Sequence, residues 1–115
     1  MSNMDGGIVY LAELVNVAAA GMKPLYSLNR ISRDWYEDRA IGFRRQYAAK
    51  GVNEQVDILA RIHYNKRARI GLYAILGNGE QYRITNVTNA RDDETGLRYT
   101  ELSLTRLDEN YEVPD

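Results

Sequence analysis

The stretch Ile70-Gly71-Leu72-Tyr73-Ala74-Ile75-Leu76-Gly77-Asn78-Gly79-Glu80-Gln81-Tyr82-Arg83-Ile84-Thr85-Asn86-Val87-Thr88 decides the fold class. Ile70–Leu76 is apolar on both faces, as a strand placed centrally in a sheet must be. Glu80–Thr88 is rich in Tyr, Ile, Val and Thr, which suit a pleated, half-buried surface. Between the two runs stands Gly77-Asn78-Gly79. Asn and Gly tolerate the positive φ that tight turns require, so the runs are expected to pair as an antiparallel hairpin.

Two further strands flank this hairpin. From Val56 the chain alternates, with Val56, Ile58, Ala60, Ile62 and Tyr64 on one face and Asp57, Leu59, Arg61, His63 and Asn65 on the other. That period of two predicts a half-buried strand. Leu97–Leu107 closes the series, with Leu102 and Leu104 alternating against Glu101, Ser103 and Thr105. The segment before it, Asn89–Gly96, carries Asp92, Asp93 and Glu94 and reads as a solvated loop.

The N-terminal half is less regular. Ile8–Ala20 fits either a helical face (Leu11, Leu14, Val15, Ala18) or a strand; its β-branched residues favour a strand through Val17. Gly21-Met22-Lys23-Pro24 breaks it. No clean period runs from Pro24 to Arg39, so Ala18–Asp38 reads as a long loop. Its candidate contact residues are Leu25, Tyr26, Leu28, Ile31, Arg33, Trp35 and Tyr36. Two readings stand side by side: a loop folded over a barrel end with Trp35 plugging the core, or a segment that orders against a partner. Ala40–Phe43 suggests a short strand. Arg44–Lys50 holds good helix formers ahead of Gly51, and a two-turn helix there must dock on the sheet through Phe43, Tyr47 and Val52. The expected architecture is mainly β: a small antiparallel β-barrel or sandwich with one short α-helix and a long loop in the N-terminal half.

At 115 residues the chain is expected to form a single domain, with residues 1–7 and the acidic tail 108–115 flexible. Net charge is −1, which gives no bulk attraction to nucleic acid or membrane. Only Lys23, Lys50 and Lys66 among the 15 cations are lysines; the others are arginines. Nine tyrosines stand against one Trp and one Phe. Arg and Tyr are both favoured at protein interfaces, although Tyr also serves as an ordinary strand residue at a core boundary. A basic group (Arg61, Lys66, Arg67, Arg69) and an acidic group (Asp92, Asp93, Glu94) are candidate complementary interfaces between copies. Cysteine is absent, which excludes disulfides and thiolate metal sites. Met1–Gly7 has neither a basic flank nor an apolar core of signal-peptide length, and no apolar run is long enough to span a membrane. Asn86-Val87-Thr88 matches a glycosylation sequon, but inside a predicted strand it reads as chance.

Catalytic readings find little to stand on. His63, the one histidine, lies on the polar face of its strand. Asp92-Asp93-Glu94 lacks the alternating spacing and glycine of a calcium loop. Gly77-Asn78-Gly79 lacks the Lys-Ser/Thr of a phosphate loop and leads into a strand. The expectation is a non-enzymatic protein with no cofactor and no metal. The rival is a small β-barrel that binds single-stranded nucleic acid, with Tyr64, Lys66, Arg67, Arg69, Tyr73, Tyr82 and Arg83 as its face.

Arg39-Ala40-Ile41-Gly42-Phe43-Arg44-Arg45-Gln46-Tyr47-Ala48-Ala49 resembles the strand-into-short-helix segment of tailed-phage head-closure proteins, or head–tail adaptors. The strand bearing Val56-Asp57 and Arg61-Ile62, the hairpin ending in Gln81-Tyr82-Arg83-Ile84 and the final Glu101-Leu102-Ser103-Leu104 are similar to the same family. The likeness spans roughly Glu37–Leu107 and leaves Met1–Val17 outside. It implies a virion structural subunit, assembled in the host cytoplasm. Copies form a ring against the portal protein and the tail or tail-completion protein, around packaged DNA held without sequence specificity. By position, Ala18–Asp38 is the loop that such proteins direct into the channel.

Overall fold

The computed structural model describes residues 7–39 and 56–114. They form six antiparallel strands: β1 (Gly7–Asn16), β2 (Tyr26–Asp38), β3 (Ile58–His63), β4 (Tyr73–Leu76), β5 (Gln81–Arg91) and β6 (Arg98–Arg106). The order in the sheet is β1-β2-β3-β6-β5-β4, and β4 pairs back on β1, so the sheet closes into a barrel. No helix occurs among the described residues. The expected strand Ala40–Phe43 and helix Arg44–Lys50 lie outside them.

The hairpin at Gly77-Asn78-Gly79 forms as expected. Leu76 N–H donates to Glu80 O, and Gly79 N–H donates back to Leu76 O. Gly79 supplies the positive φ, 91°. The Asn78 carboxamide accepts from Glu80 N–H and so closes the turn with its own side chain. The strand before the turn is shorter than the apolar run suggests. Only Tyr73–Leu76 is extended; Ile70 is exposed, while Ala68 and Leu72 turn inward. Asn65–Leu72 crosses the barrel mouth from β3 to β4, held by Gly71 N–H to Ile84 O and Ile84 N–H to Leu72 O.

The alternation read in the sequence places the core. Ala60 and Ile62 of β3, Leu102 and Leu104 of β6, Tyr82 and Ile84 of β5, and Val9 and Leu11 of β1 all point inward. Full burial of such side chains contributes about 1.5–3 kcal/mol each, ample to hold a sheet whose backbone groups are already paired.

The largest departure from expectation is Ala18–Asp38. Only its first part is a loop; Tyr26–Asp38 is β2, the longest strand in the structure. A bulge hid its period. Leu11 pairs with Ser32 but Ala12 pairs with Arg30, leaving Ile31 as the extra residue on β2. Tyr36 and Leu28 have the same parity in sequence, yet they bury on opposite sides of the bulge. Tyr36 joins the barrel core, and Leu28 joins a second cluster with Ala12 and Ile75. Trp35 plugs nothing, since it lies on the outer side of β2 and is exposed.

That second cluster is closed by the chain's end. Tyr10, Leu14 and Tyr73 border it, and Tyr111 and Val113 cover it. The segment expected as a flexible acidic tail is therefore docked through residue 114.

Candidate interaction surface

The β1–β2 hairpin outgrows the barrel that carries it. β1 pairs with β4 only over Val9–Ala12, and β2 pairs with β3 only over Tyr36–Asp38. Beyond Ala12 and Arg30 the two strands continue together as a two-stranded arm, with Glu13–Asn16 paired to Asn29–Tyr26. Those four residues extend the arm by roughly 13 Å at strand rise, before a tip at residues 17–25.

The tip is built, not loose. The Asn16 carboxamide oxygen accepts from both Ala18 N–H and Leu25 N–H, and Val17 N–H donates to Leu25 O. Gly21, at φ 80°, makes the bend, and Met22 N–H closes onto Ala19 O. On this frame stand Val17 (55% exposed), Met22 (68%), Leu25 (56%) and Tyr26 (47%). Four large apolar side chains grouped at one projecting end are the kind of exposed patch that marks a partner contact.

The C-terminal segment braces the base of this arm. Gln81 is buried, and its carboxamide grips one residue of the tail from both sides: Nε2 donates to Tyr111 O at 2.7 Å, and Tyr111 N–H donates to Oε1 at 2.7 Å. The Tyr111 ring meets the Tyr73 ring edge-on, with centroids 5.8 Å apart. Leu28 N–H and the Ser27 hydroxyl both donate to Glu112 O, and Arg30 donates to Pro114 O. The tail thus runs parallel to β2 along the part of its edge that β3 leaves open.

The predicted contact residues divide accordingly. Leu25 and Tyr26 belong to the exposed tip. Leu28 and Tyr36 are structural. Ile31 packs on the barrel core from the bulge, and Arg33 and Trp35 lie exposed on the outer face of the part of β2 that belongs to the barrel. Val17 and Met22, which complete the tip, stood outside the sequence reading. The signal available for them was the short apolar–Gly–Pro turn between two β-prone runs.

The two charge patches meet within the chain at Arg61, which sits between Glu101 (2.5 Å) and Asp92 (3.8 Å) and stacks over Tyr99 with 3.9 Å to the ring centroid. Lys66, Arg67 and Arg69 remain exposed on the loop over the barrel mouth, and Arg67 also donates to Ile31 O. Asp92 is committed locally. Its carboxylate accepts the N–H groups of Thr95 and Glu94, which hold its pKa below the usual carboxylate value. Asp93 and Glu94 stay exposed in the same loop.

Beside this loop a shallow hollow is lined by Arg61, His63, Asp92, Thr95, Leu97, Arg98 and Tyr99. It has room for about one water molecule, too little for an organic substrate. Arg98, absent from the sequence reading, lies over the Tyr64 ring at 3.8 Å. Among the described residues no cluster of His, Asp or Glu is arranged to hold a metal ion, and no helix is long and apolar enough to cross a membrane.

The barrel mouth carries a polar network in place of apolar packing. Asn65 donates from Nδ2 to the Ser32 hydroxyl and to Asp34, and its N–H donates to the Thr100 hydroxyl, which donates on to Asn89. No buried side-chain polar atom of the described residues lacks a partner.

No family model matches the chain, and no curated protein matches its sequence.

Proposed function

We propose that this chain is a structural subunit of a tailed-phage head–tail connector. In this reading it forms a ring that joins portal to tail and helps close the DNA channel. The resemblance over Glu37–Leu107 supports it, and the observation that carries it is the braced β1–β2 arm ending in Val17, Met22, Leu25 and Tyr26. A ring subunit needs a rigid body and a projecting element that buries apolar surface only on assembly. The closed barrel supplies the first and the arm the second. The isolated subunit is then a monomer that becomes a ring on its portal, with the tip against a neighbour, the portal or the tail protein.

The arm and the cationic mouth loop leave the same end of the barrel, because β1 runs toward it, β2 returns from it and β3 ends at it. Lys66, Arg67 and Arg69 then face packaged DNA as a sequence-independent lining.

The test is electron microscopy of purified portal particles mixed with the protein. The expected result is a ring at the portal with wild-type chain and none with Val17→Asp/Met22→Asp/Leu25→Asp, which leaves thermal stability unchanged. A triple variant that still decorates the portal, or wild-type protein that never does, overturns the reading.

A second reading, a single-stranded nucleic-acid binder, draws on Tyr64 stacked beneath Arg98 next to Lys66 and Arg67. It predicts affinity for oligonucleotides that falls steeply with salt and is lost in Arg67→Ala/Arg69→Ala.

A further inference from the structure

The tail's anchoring contacts lie outside the barrel core. Tyr111 and Val113 pack only in the second cluster, on the outer face of β1 and β4 and against Leu28. The core of Val9, Leu11, Ile62, Ile84, Leu102 and Leu104 contains no tail residue. The bonds that hold the tail run from Gln81, Ser27, Leu28 and Arg30 to main-chain groups of Tyr111, Glu112 and Pro114. None of them depends on which chain supplies those groups. The connection is a short exposed hinge, Asp108-Glu109-Asn110, after Leu107 leaves the β5–β6 ladder.

We infer that the groove formed by Gln81, Tyr73, Ile75, Leu14 and the Leu28 edge of β2 is a peptide-docking site between copies. It takes the Tyr111–Pro114 segment of a second copy in place of the chain's own. The carboxamide of Gln81 reads the backbone of an extended residue, Tyr73 and Ile75 receive the Tyr111 ring, and β2 adds the incoming strand in parallel. This is strand addition at an open edge. Because the exchanged contacts are the same in both arrangements, exchange costs only the loss of tethering. A tether of three hinge residues holds the chain's own tail at an effective concentration on the order of millimolar. Exchange is therefore negligible in dilute protein and substantial where copies are packed side by side. The inference stands on the tail's contacts and does not require the connector reading.

Because the chain has no cysteine, the test can use engineered ones. Ser27 and Glu112 are bridge partners, and bridged strands lie about 4.8 Å apart, within disulfide range. The double variant Ser27→Cys/Glu112→Cys is expected to close within one chain, which reports the docked tail. A mixture of the single variants Ser27→Cys and Glu112→Cys forms a mixed disulfide only by exchange. Its yield is expected to rise about tenfold for each tenfold rise in protein concentration until it nears the millimolar range. A synthetic peptide of residues 108–115 is expected to suppress it, and a scrambled peptide is not. Intramolecular closure of the double variant with no mixed disulfide at millimolar protein overturns the inference. So does a mixed disulfide that the scrambled peptide suppresses equally, and failure of the double variant to close removes its premise.

Discussion

Replacing Gln81 by alanine isolates the clamp on the tail. The substitution removes two hydrogen bonds of 2.7 Å to the main chain of Tyr111. Tyr111 is half-buried, so water can reach the freed N–H and carbonyl, and the full penalty of a buried unsatisfied group does not apply. Each bond then counts at its net value, about 0.5–1.5 kcal/mol. Together they weaken tail docking by about 1–3 kcal/mol, a factor of roughly 5 to 150 in the docking equilibrium. The Leu28 amide is the right probe, because it donates to Glu112 O and to nothing else once the tail leaves. Native-state amide exchange should show Leu28 losing protection by that factor in Gln81→Ala, while the amides of Ile62 and Leu102 in the barrel core keep theirs. Unchanged protection at Leu28 would show that Tyr111 and Val113 hold the tail by packing alone. An equal loss across the core would show that tail and barrel open as one unit. The first result refutes the Gln81 clamp, and the second refutes the account of a separately docked strap.

Two further outcomes can be checked with simple measurements. Tyr36, Tyr73 and Tyr82 have pKa values raised above 10.0, first by burial, and for Tyr36 and Tyr82 next by nearby Asp38 and Glu80 respectively. A raised pKa in the folded state contributes stability that is present below pH 10 and lost as pH rises through the folded value. Thermal midpoints should hold to about pH 9 and fall above about pH 10, and Tyr36→Phe should flatten that fall; a profile unchanged by the substitution refutes the assignment. Gly79 has φ 91° and open space where a Cβ would stand, so Gly79→Ala suffers only backbone strain. Urea titration should show a loss of about 1–2 kcal/mol, and a neutral result would mean that the turn re-forms with another geometry.

The legible part of this fold was the part with an unbroken period. Ala60 and Ile62, and Leu102 and Leu104, alternate without interruption, and they face the core as read. The Asn78–Gly79 turn advertised itself through residues with a conformational reason to be there. β2 was illegible because Ile31 is inserted into it. A single extra residue moves every later side chain to the other face, so Leu28 and Tyr36 share a parity in sequence yet bury on opposite faces, and no single alternation fits the strand. The tail was misread for a different reason. Asp108, Glu109 and Glu112 make it look solvated, and the hydrogen bonds that help anchor it use its main-chain atoms, which have no residue type to read. Arg61 and Asp92 lie far apart in sequence, and only the β3–β6 pairing and the loop after β5 reveal that they meet.

The barrel's closing strand is also its shortest. β4 meets β1 over Val9–Ala12 and β5 over Gln81–Arg83 alone, whereas β5 and β6 stay paired from Tyr82 to Arg91. A hoop yields where it is least fastened, and the β2–β3 seam, three pairs at Tyr36–Asp38, is held as briefly. Under load along the chain, or under slow proteolysis, rupture at β4 turns the closed barrel into an open curved sheet while the β5–β6 and β1–β2 ladders survive. The freed margins of β1 and β5 would then be bare strand edges ready to template pairing with other molecules. The closure of the barrel on this side thus rests on four residues, Tyr73 to Leu76, and on the small turn that follows them.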